Sequence, residues 1–327
     1  MHKILVTGAT GAVGPLVVKA FHDAGYSIRT LSLDPPPVGV WPDDVETRIG
    51  DITDRAAIQS AMQGVDAVVH MAALLHIVNP PPELCEKYKC VNVGGTATVV
   101  EAAIKEGVRR VVLFSTIAVY GASDGYVLNE MSPTNPCTFY AQTKLAAEQV
   151  VLNARNTNGQ PLGTVLRFSA IYGSRIKGNY ERLIRALASH YFISIGNGLN
   201  RRTLVYDSDV GRAAILAVSH PAAAGRVFNV TDGRFHTVSE IIKSICFALG
   251  RKPPRFSLPI GPILGLVGLI EKRANTIGIK ASVIRSMIEK YTEDNAIDGS
   301  LIQQELGFIP QCDLKTGWEE TIRKMRT

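Results

Sequence analysis

The sequence of 327 residues contains no C-x-x-C pair, and its five cysteines (Cys85, Cys90, Cys137, Cys246 and Cys312) leave one over. Reduced thiols in a cytoplasmic protein are therefore expected, rather than a disulfide framework. Its seven histidines form no H-E-x-x-H or comparable cluster, so no protein-held metal is expected. A long hydrophobic run is also missing. The longest uncharged apolar stretch, Phe256 to Ile270, is about 15 residues with two prolines and three glycines. It falls short of the roughly 20 residues needed to cross a bilayer and reads as a lid or part of a lobe. The opening Met1-His2-Lys3 leads straight into a strand, without the sections of a secretory signal. No concentrated basic tract is present: 35 Lys and Arg against 29 Asp and Glu give a net +6 spread along the chain. That balance argues against a nucleic-acid partner and suits an anionic small ligand at least as well.

What is present is an ordinary globular composition, 46% hydrophobic and 20% charged, in a chain long enough for one large core or two lobes. Lys3 to Thr7 is a short apolar run ending in glycines, and Val13, Leu16, Val17, Ala20, Phe21 and Ala24 then recur at helical spacing up to Gly25. Ser27–Leu31 and Asp66–His70 read as strands, Glu86–Glu106 as an amphipathic helix and Arg110–Ser115 as a strand; a helix at about 140–154 and a strand at Thr164–Phe168 follow. This alternation predicts an α/β fold: a Rossmann-type, doubly wound parallel sheet over residues 1–173, with ligands at the carboxyl ends of the strands. Beyond about residue 173 the rhythm loosens. Thr237-Val238-Ser239-Glu240 forms a capping box for a helix ending near Gly250, and a final amphipathic helix is expected at Ser300–Leu306. Residues 174–327 read mainly as a small C-terminal substrate lobe, interleaved with the end of the sheet.

Two constellations carry chemistry. Gly8-Ala9-Thr10-Gly11-Ala12-Val13-Gly14 is a G-x-x-G-x-x-G between the first strand and its helix. Glycines there permit a tight turn and close backbone approach, so the helix can offer its free N–H groups to a pyrophosphate. An ordinary glycine-rich loop has the same composition, but the position inside a βαβ unit selects the dinucleotide reading, with Gly8, Thr10, Gly11, Ala12, Val13 and Gly14 as contacts. The second constellation, Tyr140-Ala141-Gln142-Thr143-Lys144, puts a phenol and an ammonium on one helix face. The charge can lower the phenol's pKa from about 10, and a tuned phenol can carry the proton that accompanies hydride transfer at a carbinol carbon. A solvated helix face would share this spacing. What singles it out is the preceding strand, ending in Ser115-Thr116, which brings a hydroxyl to the same sheet edge.

The glycine loop, Gly50-Asp51, His70-Met71-Ala72-Ala73, Asn92, Ser115-Thr116-Ile117-Ala118-Val119-Tyr120-Gly121 and the Tyr140/Lys144 pair occur in the order and spacing of the extended short-chain dehydrogenase/reductases. Over nearly its whole length the chain resembles their nucleotide-sugar epimerase/dehydratase branch. The resemblance implies a homodimeric enzyme using NAD or NADP on a nucleotide sugar, as a UDP-sugar 4-epimerase or 4-ketoreductase. Thr116 would orient the substrate oxygen, Tyr140 would be the acid/base, and Lys144 would hold the nicotinamide ribose and depress the Tyr140 pKa. Asp51 and Ile52 would contact the adenine, Ala72 and Ala73 would line the cofactor cleft, and Asn92 would support the site. The plainer readings are a turn cap for Asp51 and a buried amide satisfying backbone for Asn92.

Three departures qualify the pattern. Thr116 replaces the usual Ser and keeps the hydroxyl. Ser32 stands where NAD-preferring members place an acid for the ribose hydroxyls, and Asp34 lies two residues on before three prolines, so NAD against NADP stays open. Ala170, within Arg167–Gly173, stands where many sugar epimerases carry asparagine. Downstream, Lys177-Gly178-Asn179 and the segment from Arg201-Arg202 to Asp209 resemble the substrate segments of UDP-sugar epimerases and 4-keto-sugar reductases. Asn179 and Arg202 are thus candidates for holding a diphosphate, to which a guanidinium fork can donate two charge-assisted hydrogen bonds; a surface salt bridge is the alternative for Arg202. Two other functions stay open. One is a hydroxysteroid-type dehydrogenase with the apolar Leu258–Ile270 segment as lid; the other is a cofactor-sensing protein without turnover, against which the complete Thr116/Tyr140/Lys144 set speaks.

Overall fold

In the computed structural model the described residues are 2–75, 77, 81, 83–176, 178–189, 192–265 and 291–326. The chain runs through β1 (Lys3–Thr7), α1 (Gly14–Asp23), β2 (Ser27–Ser32), β3 (Glu46–Ile49), α2 (Arg55–Met62) and β4 (Ala67–His70). Next comes α3 (Glu83–Tyr88), which continues through a π-helical turn (Lys89–Gly95) into α4 (Thr96–Lys105), then β5 (Arg110–Thr116), α5 (Phe139–Asn153) and β6 (Gly163–Phe168). Past β6 lie β7 (Ala170–Tyr172), α6 (Asn179–Ala188), β8 (Ser194–Ile195), β9 (Arg201–Arg202), β10 (Leu204–Tyr206), α7 (Asp207–Ser219) and β11 (Val227–Val230). β12 (His236–Thr237), α8 (Val238–Leu249), β13 (Ser257–Leu258) and the helices Ser300–Leu306 and Leu314–Arg326 follow, and short 3-10 turns lie at Ile117–Tyr120 and Pro221–Ala223. Seven strands form one parallel sheet in the order β11-β6-β5-β4-β1-β2-β3. The order reverses between β1 and β4, and there the carboxyl ends of the strands open a crevice.

Both faces of the sheet are covered, and the two-residue period of the strands sorts side chains between them. Ile4, Val6, Val69, Val112 and Phe114 pack with α1 and α7, whereas Leu5, Val68, Val111 and Leu113 pack with α2, α4 and α5. The α1–α7 approach depends on Gly211, where a Cβ would sit 2.5 Å from that of Ala20. A third cluster, with Tyr172, Ile184, Ile241, Ile245 and Trp318, forms the core of the lobe. After residue 173 the chain therefore alternates: α7 and β11 return to the sheet, while α6, α8 and Leu314–Arg326 build the lobe.

The doubly wound sheet agrees with the alternation in the sequence, and the Thr237/Glu240 capping box forms reciprocally on a helix that ends at Gly250 with φ 70°. Other elements differ from expectation. β3 reads Glu46-Thr47-Arg48-Ile49 at the sheet edge, too polar and exposed to show an apolar alternation. The expected helix from Glu86 to Glu106 begins at Glu83 and contains the π-turn. Ser300–Leu306 is not the last helix, because Leu314–Arg326 follows; its buried face is reduced to Gly317, Trp318, Thr321 and Ile322, a weak apolar signal.

Candidate active site

At the crevice the chain leaves β1 through Gly8, whose φ of 72° lies in the left-handed region. A Cβ on Gly8 would stand 2.7 Å from the Ala72 backbone, and one on Gly14 would stand 1.9 Å from the Ala9 carbonyl oxygen, so the loop closes only with glycine there. Gly11 N–H donates to the Gly8 carbonyl (3.0 Å), Gly14 N–H to the Gly11 carbonyl (3.1 Å) and Thr10 N–H to the Ser32 hydroxyl (3.2 Å). α1 then begins behind Val13, an N-cap that supplies no side-chain hydrogen bond. Gly14 and Leu16 donate their N–H groups to the Gly11 and Val13 carbonyls (3.1 Å each) and Pro15 has none, so what the helix start offers a negative group is its dipole. A glycine-rich loop over a helix N-terminus that has no side-chain cap, with Ala12 between them, fits a dinucleotide pyrophosphate. Ser32 is buried and accepts from the loop, while Asp34 is exposed. Asp51 accepts from Thr53 N–H (2.9 Å) in a turn, and Ile52 is buried against Gly95. Ala72 donates its N–H to the Thr7 hydroxyl (3.4 Å), with Ala73 following it past the end of β4.

β5 ends on Thr116, whose hydroxyl oxygen accepts from Ala118 N–H (3.2 Å), an arrangement that leaves the hydroxyl proton for a second partner. α5 starts behind Thr138, which accepts from Ala141 N–H (3.2 Å), so Tyr140 lies in the first turn. One turn on is Lys144 and one further is Glu148, fully buried, gripped by Arg167 (Nη2 to Oε2, 2.6 Å) and by the Ser115 hydroxyl. Because Ser115 is the penultimate residue of β5, this anchor fixes α5 against the strand end. Lys144 and Tyr140, earlier on the helix by about 6 and 12 Å of rise, then stand at and beyond the carboxyl edge of the sheet, where Thr116 also emerges.

Lys144 is 2% exposed, and burial pulls its ammonium down to about 8, with Glu148 opposing the fall. Tyr140 moves the other way: burial, reinforced by Tyr88, raises its phenol to about 12. The helical spacing predicts a phenol lowered by Lys144, and here the expectation fails. In the chain by itself, lost hydration of the phenolate outweighs an ammonium that is itself weakened by burial.

Residues unassigned from the sequence tie these parts together. His70, fully buried at the end of β4, bonds Thr7 through Nδ1 (2.7 Å) and Thr96 through Nε2 (3.0 Å). The Thr96 hydroxyl donates to the Asn92 carbonyl (2.6 Å), so toward His70 it accepts. These partners assign a neutral ring protonated on Nε2, with Thr7 donating to Nδ1. Burial, with the Lys144 charge adding to it, lowers the imidazole to about 3. Asn92, on the π-turn, spends its amide on protein: it accepts from Leu74 N–H (2.7 Å) and donates to the Leu74 carbonyl (3.2 Å) and the Thr143 hydroxyl (3.1 Å). Thr143 in turn donates to the Tyr140 carbonyl (3.0 Å). Asn92 thus holds the loop after β4 against the catalytic helix. Thr96 and Glu148 stand four residues after Asn92 and Lys144, a spacing that could have marked both.

In the lobe the two adjacent arginines diverge. Arg201 is paired with Asp294 (2.6 Å). Arg202, opposite His236 in the β9–β12 pair, lies near Tyr180 and Tyr291; burial raises both phenols, Tyr180 to about 12, and the guanidinium draws both back. Tyr180 follows Asn179, the exposed first residue of α6, so Arg202 lies by the residue next to Asn179. Lys177 lies outside the described residues, and Ala170 is exposed at the start of β7. Among the described residues no helix is long and apolar enough to cross a membrane, and no cluster of His, Cys, Asp and Glu could hold a metal.

Similarity to known proteins extends over the same framework. The chain is 27% identical over 324 residues, 98% of its length and 94% of the relative's, to the N-acetyl-alpha-D-glucosaminyl-diphospho-ditrans,octacis-undecaprenol 4-epimerase of Escherichia coli O157:H7. It is 29% identical over 264 residues to a 3-beta-hydroxysteroid dehydrogenase of Mycolicibacterium neoaurum, covering 77% of this chain and 71% of that one. The solved structure of MoeE5 in complex with UDP-glucose and NAD matches with a TM-score of 0.76 and 26% identity, over 99% of this chain and 98% of that chain. The model of the NAD dependent epimerase/dehydratase family matches residues 4–231, which span the glycine loop, Thr116, Tyr140, Lys144 and all seven strands of the main sheet but the first residue of β1. By that match the chain belongs to the NAD-dependent epimerase/dehydratase family.

Proposed function

We propose that the protein oxidises or reduces C4 of a hexose carried on a diphosphate, as a nucleotide-sugar 4-epimerase or 4-ketoreductase. The observation that carries this reading is the buried Lys144 one turn from Tyr140 on a helix anchored at the end of β5, beside Thr116. In this reading Thr116 orients the C4 oxygen, Tyr140 exchanges a proton with it, Lys144 holds the nicotinamide ribose, and Arg202 with Asn179 holds the diphosphate. A bound NAD or NADP would take the hydride from C4 or deliver it there, and its positively charged oxidised ring would favour the phenolate. Burial keeps Tyr140 protonated in the chain alone, the form that can protonate a 4-keto oxygen. Taking a proton from a sugar hydroxyl calls on the Lys144 ammonium, which is retained below about pH 8.

Sugar diphosphates are supported by the E. coli relative, named for a sugar on undecaprenyl diphosphate, and by MoeE5, solved with UDP-glucose. A hydroxysteroid substrate is the second reading, favoured by the 29% identical dehydrogenase. The test is product analysis after incubation with NAD and UDP-glucose, UDP-N-acetylglucosamine, dTDP-glucose or a 3β-hydroxysteroid, and with NADPH and a 4-keto sugar nucleotide. A C4 epimer or a reduced 4-keto sugar is expected. Turnover of the steroid alone would overturn the sugar assignment and leave the hydride chemistry standing.

A further inference from the structure

β8 and β13 pair in parallel, Ser257 with Ser194 and Leu258 with Ile195, and Gly196 N–H extends the ladder to the Leu258 carbonyl (2.9 Å). That register sets Phe256 beside Ile193. Phe256 is 83% exposed, Ile193 56% and Leu258 45%. Phe256 and Leu258, two residues apart, share one face of their strand. Single apolar residues on a surface need no explanation, but three grouped on one short ribbon do.

Cations outnumber carboxylates around this ribbon, with Glu181 paired to Arg185 and Asp294 to Arg201. Residues 182–206, which include β8, contain Arg182, Arg185, Arg201 and Arg202 and no Asp or Glu. Residues 241–270, which include β13, contain Lys243, Arg251, Lys252 and Arg255 and likewise no acid. Lys252 and Arg255 are exposed, four residues and one residue before Phe256. A nucleic acid would be met by the cations but not by Phe256, Leu258 and Ile193. Apolar tips flanked by the exposed Lys252 and Arg255 suit a bilayer surface: the tips enter the acyl boundary while the cations stay at anionic headgroups. From Ile195 the chain reaches Arg202 in seven residues, a span of at most about 25 Å.

We propose that the β8–β13 ribbon docks the protein on an anionic lipid bilayer, so that a sugar diphosphate carried on a membrane lipid reaches Arg202. The substrate half of this inference rests on the sugar–diphosphate reading above; the docking half does not. The test uses the full chain with vesicles of phosphatidylcholine, alone or mixed with phosphatidylglycerol. Binding to the mixed vesicles should be at least about tenfold tighter and should weaken with added salt. Lys252→Gln and Arg255→Gln should each weaken it about fivefold, and the pair Phe256→Ser with Leu258→Ser by at least about tenfold. Each variant should keep NADH binding, followed by fluorescence, as the check on folding. In the same vesicles the Phe256/Leu258 pair should slow turnover of a polyprenyl-diphosphate sugar and leave that of the matching UDP-sugar unchanged. Equal binding to both vesicle types, or binding unmoved by either set of substitutions, would overturn the docking. So would a change of solution mass in the variants without a change in vesicle binding, which would assign the ribbon to a second copy of the chain. Docking without turnover of any sugar would contradict the C4 reading and leave the docking in place.

Discussion

The sheet and the lobe are built on different scales. In the sheet, strands of four to seven residues pair in continuous register, and the reactive edge rests on two buried chains of groups, Ser115–Glu148–Arg167 under Lys144 and Thr7–His70–Thr96 beneath the loop after β4. In the lobe the pairings β8–β13, β9–β12 and β7–β10 are two or three residues long, and Asn179 and Arg202 are exposed or half-buried. A change in the lobe disturbs few neighbours, whereas a change at the reactive edge propagates through buried bonds. One hydride-transfer half can therefore face different substrates.

The largest expected effect lies at Tyr140. Tyr140→Phe removes only the hydroxyl, and kcat should fall by about 10²- to 10⁴-fold while cofactor affinity measured by fluorescence titration changes little. A variant retaining more than about a tenth of the wild-type rate would remove Tyr140 from the acid/base role. Next comes Glu148→Gln, which leaves the Arg167 guanidinium, buried over the Tyr120 ring at 4.8 Å, without its counter-charge. Denaturant unfolding should report a loss of about 3–5 kcal/mol; a loss below about 1 kcal/mol would mean that the pair does not anchor α5.

Arg202→Ala should reverse that pattern, with stability preserved and affinity for a UDP-sugar reduced by about 2 kcal/mol in calorimetry. A solvent-exposed salt bridge would cost under about 1 kcal/mol, and that result would break the division between the two regions. The effect confined to acid pH concerns His70. Its folded value near 3 lies below the ordinary 6.5, so as pH falls from 6.5 toward 3 the unfolded chain binds a proton that the folded one refuses. The stability tied to the neutral ring is complete above pH 6.5 and declines by about 1.4 kcal/mol per unit through that window. His70→Gln, which can accept from Thr7 and donate to Thr96, should flatten this acid limb in urea titrations. An unchanged limb would assign the acid loss to other groups.

What was legible in the sequence follows the same division. Tyr140, Lys144 and the glycine loop are separated by spacings that a helix or a βα turn enforces locally, so their placement could be read from spacing alone. His70 stood within a quoted motif, but its role depends on Thr7 beside it across the β1–β4 register and on Thr96 in the following helix. Nor could local pattern give the direction of the Tyr140 shift, because burial by distant residues decides it. β8, β9, β12 and β13 are two residues each, too short for any periodicity to appear, and β3 is too polar. The pairing of Arg201 with Asp294, far along the chain, could not be read from local pattern either.

The central claim is that hydride is exchanged with C4 of the sugar under the Tyr140 proton, and in the 4-epimerase reading it leaves and returns there. It is tested most directly by incubating the enzyme and NAD with a UDP-hexose deuterated at C4 and locating the label in the product. The account predicts a C4 epimer that keeps its deuterium at C4, formed by wild type and not by Tyr140→Phe. An epimer whose label has exchanged with solvent, or one formed equally well by Tyr140→Phe, would contradict it.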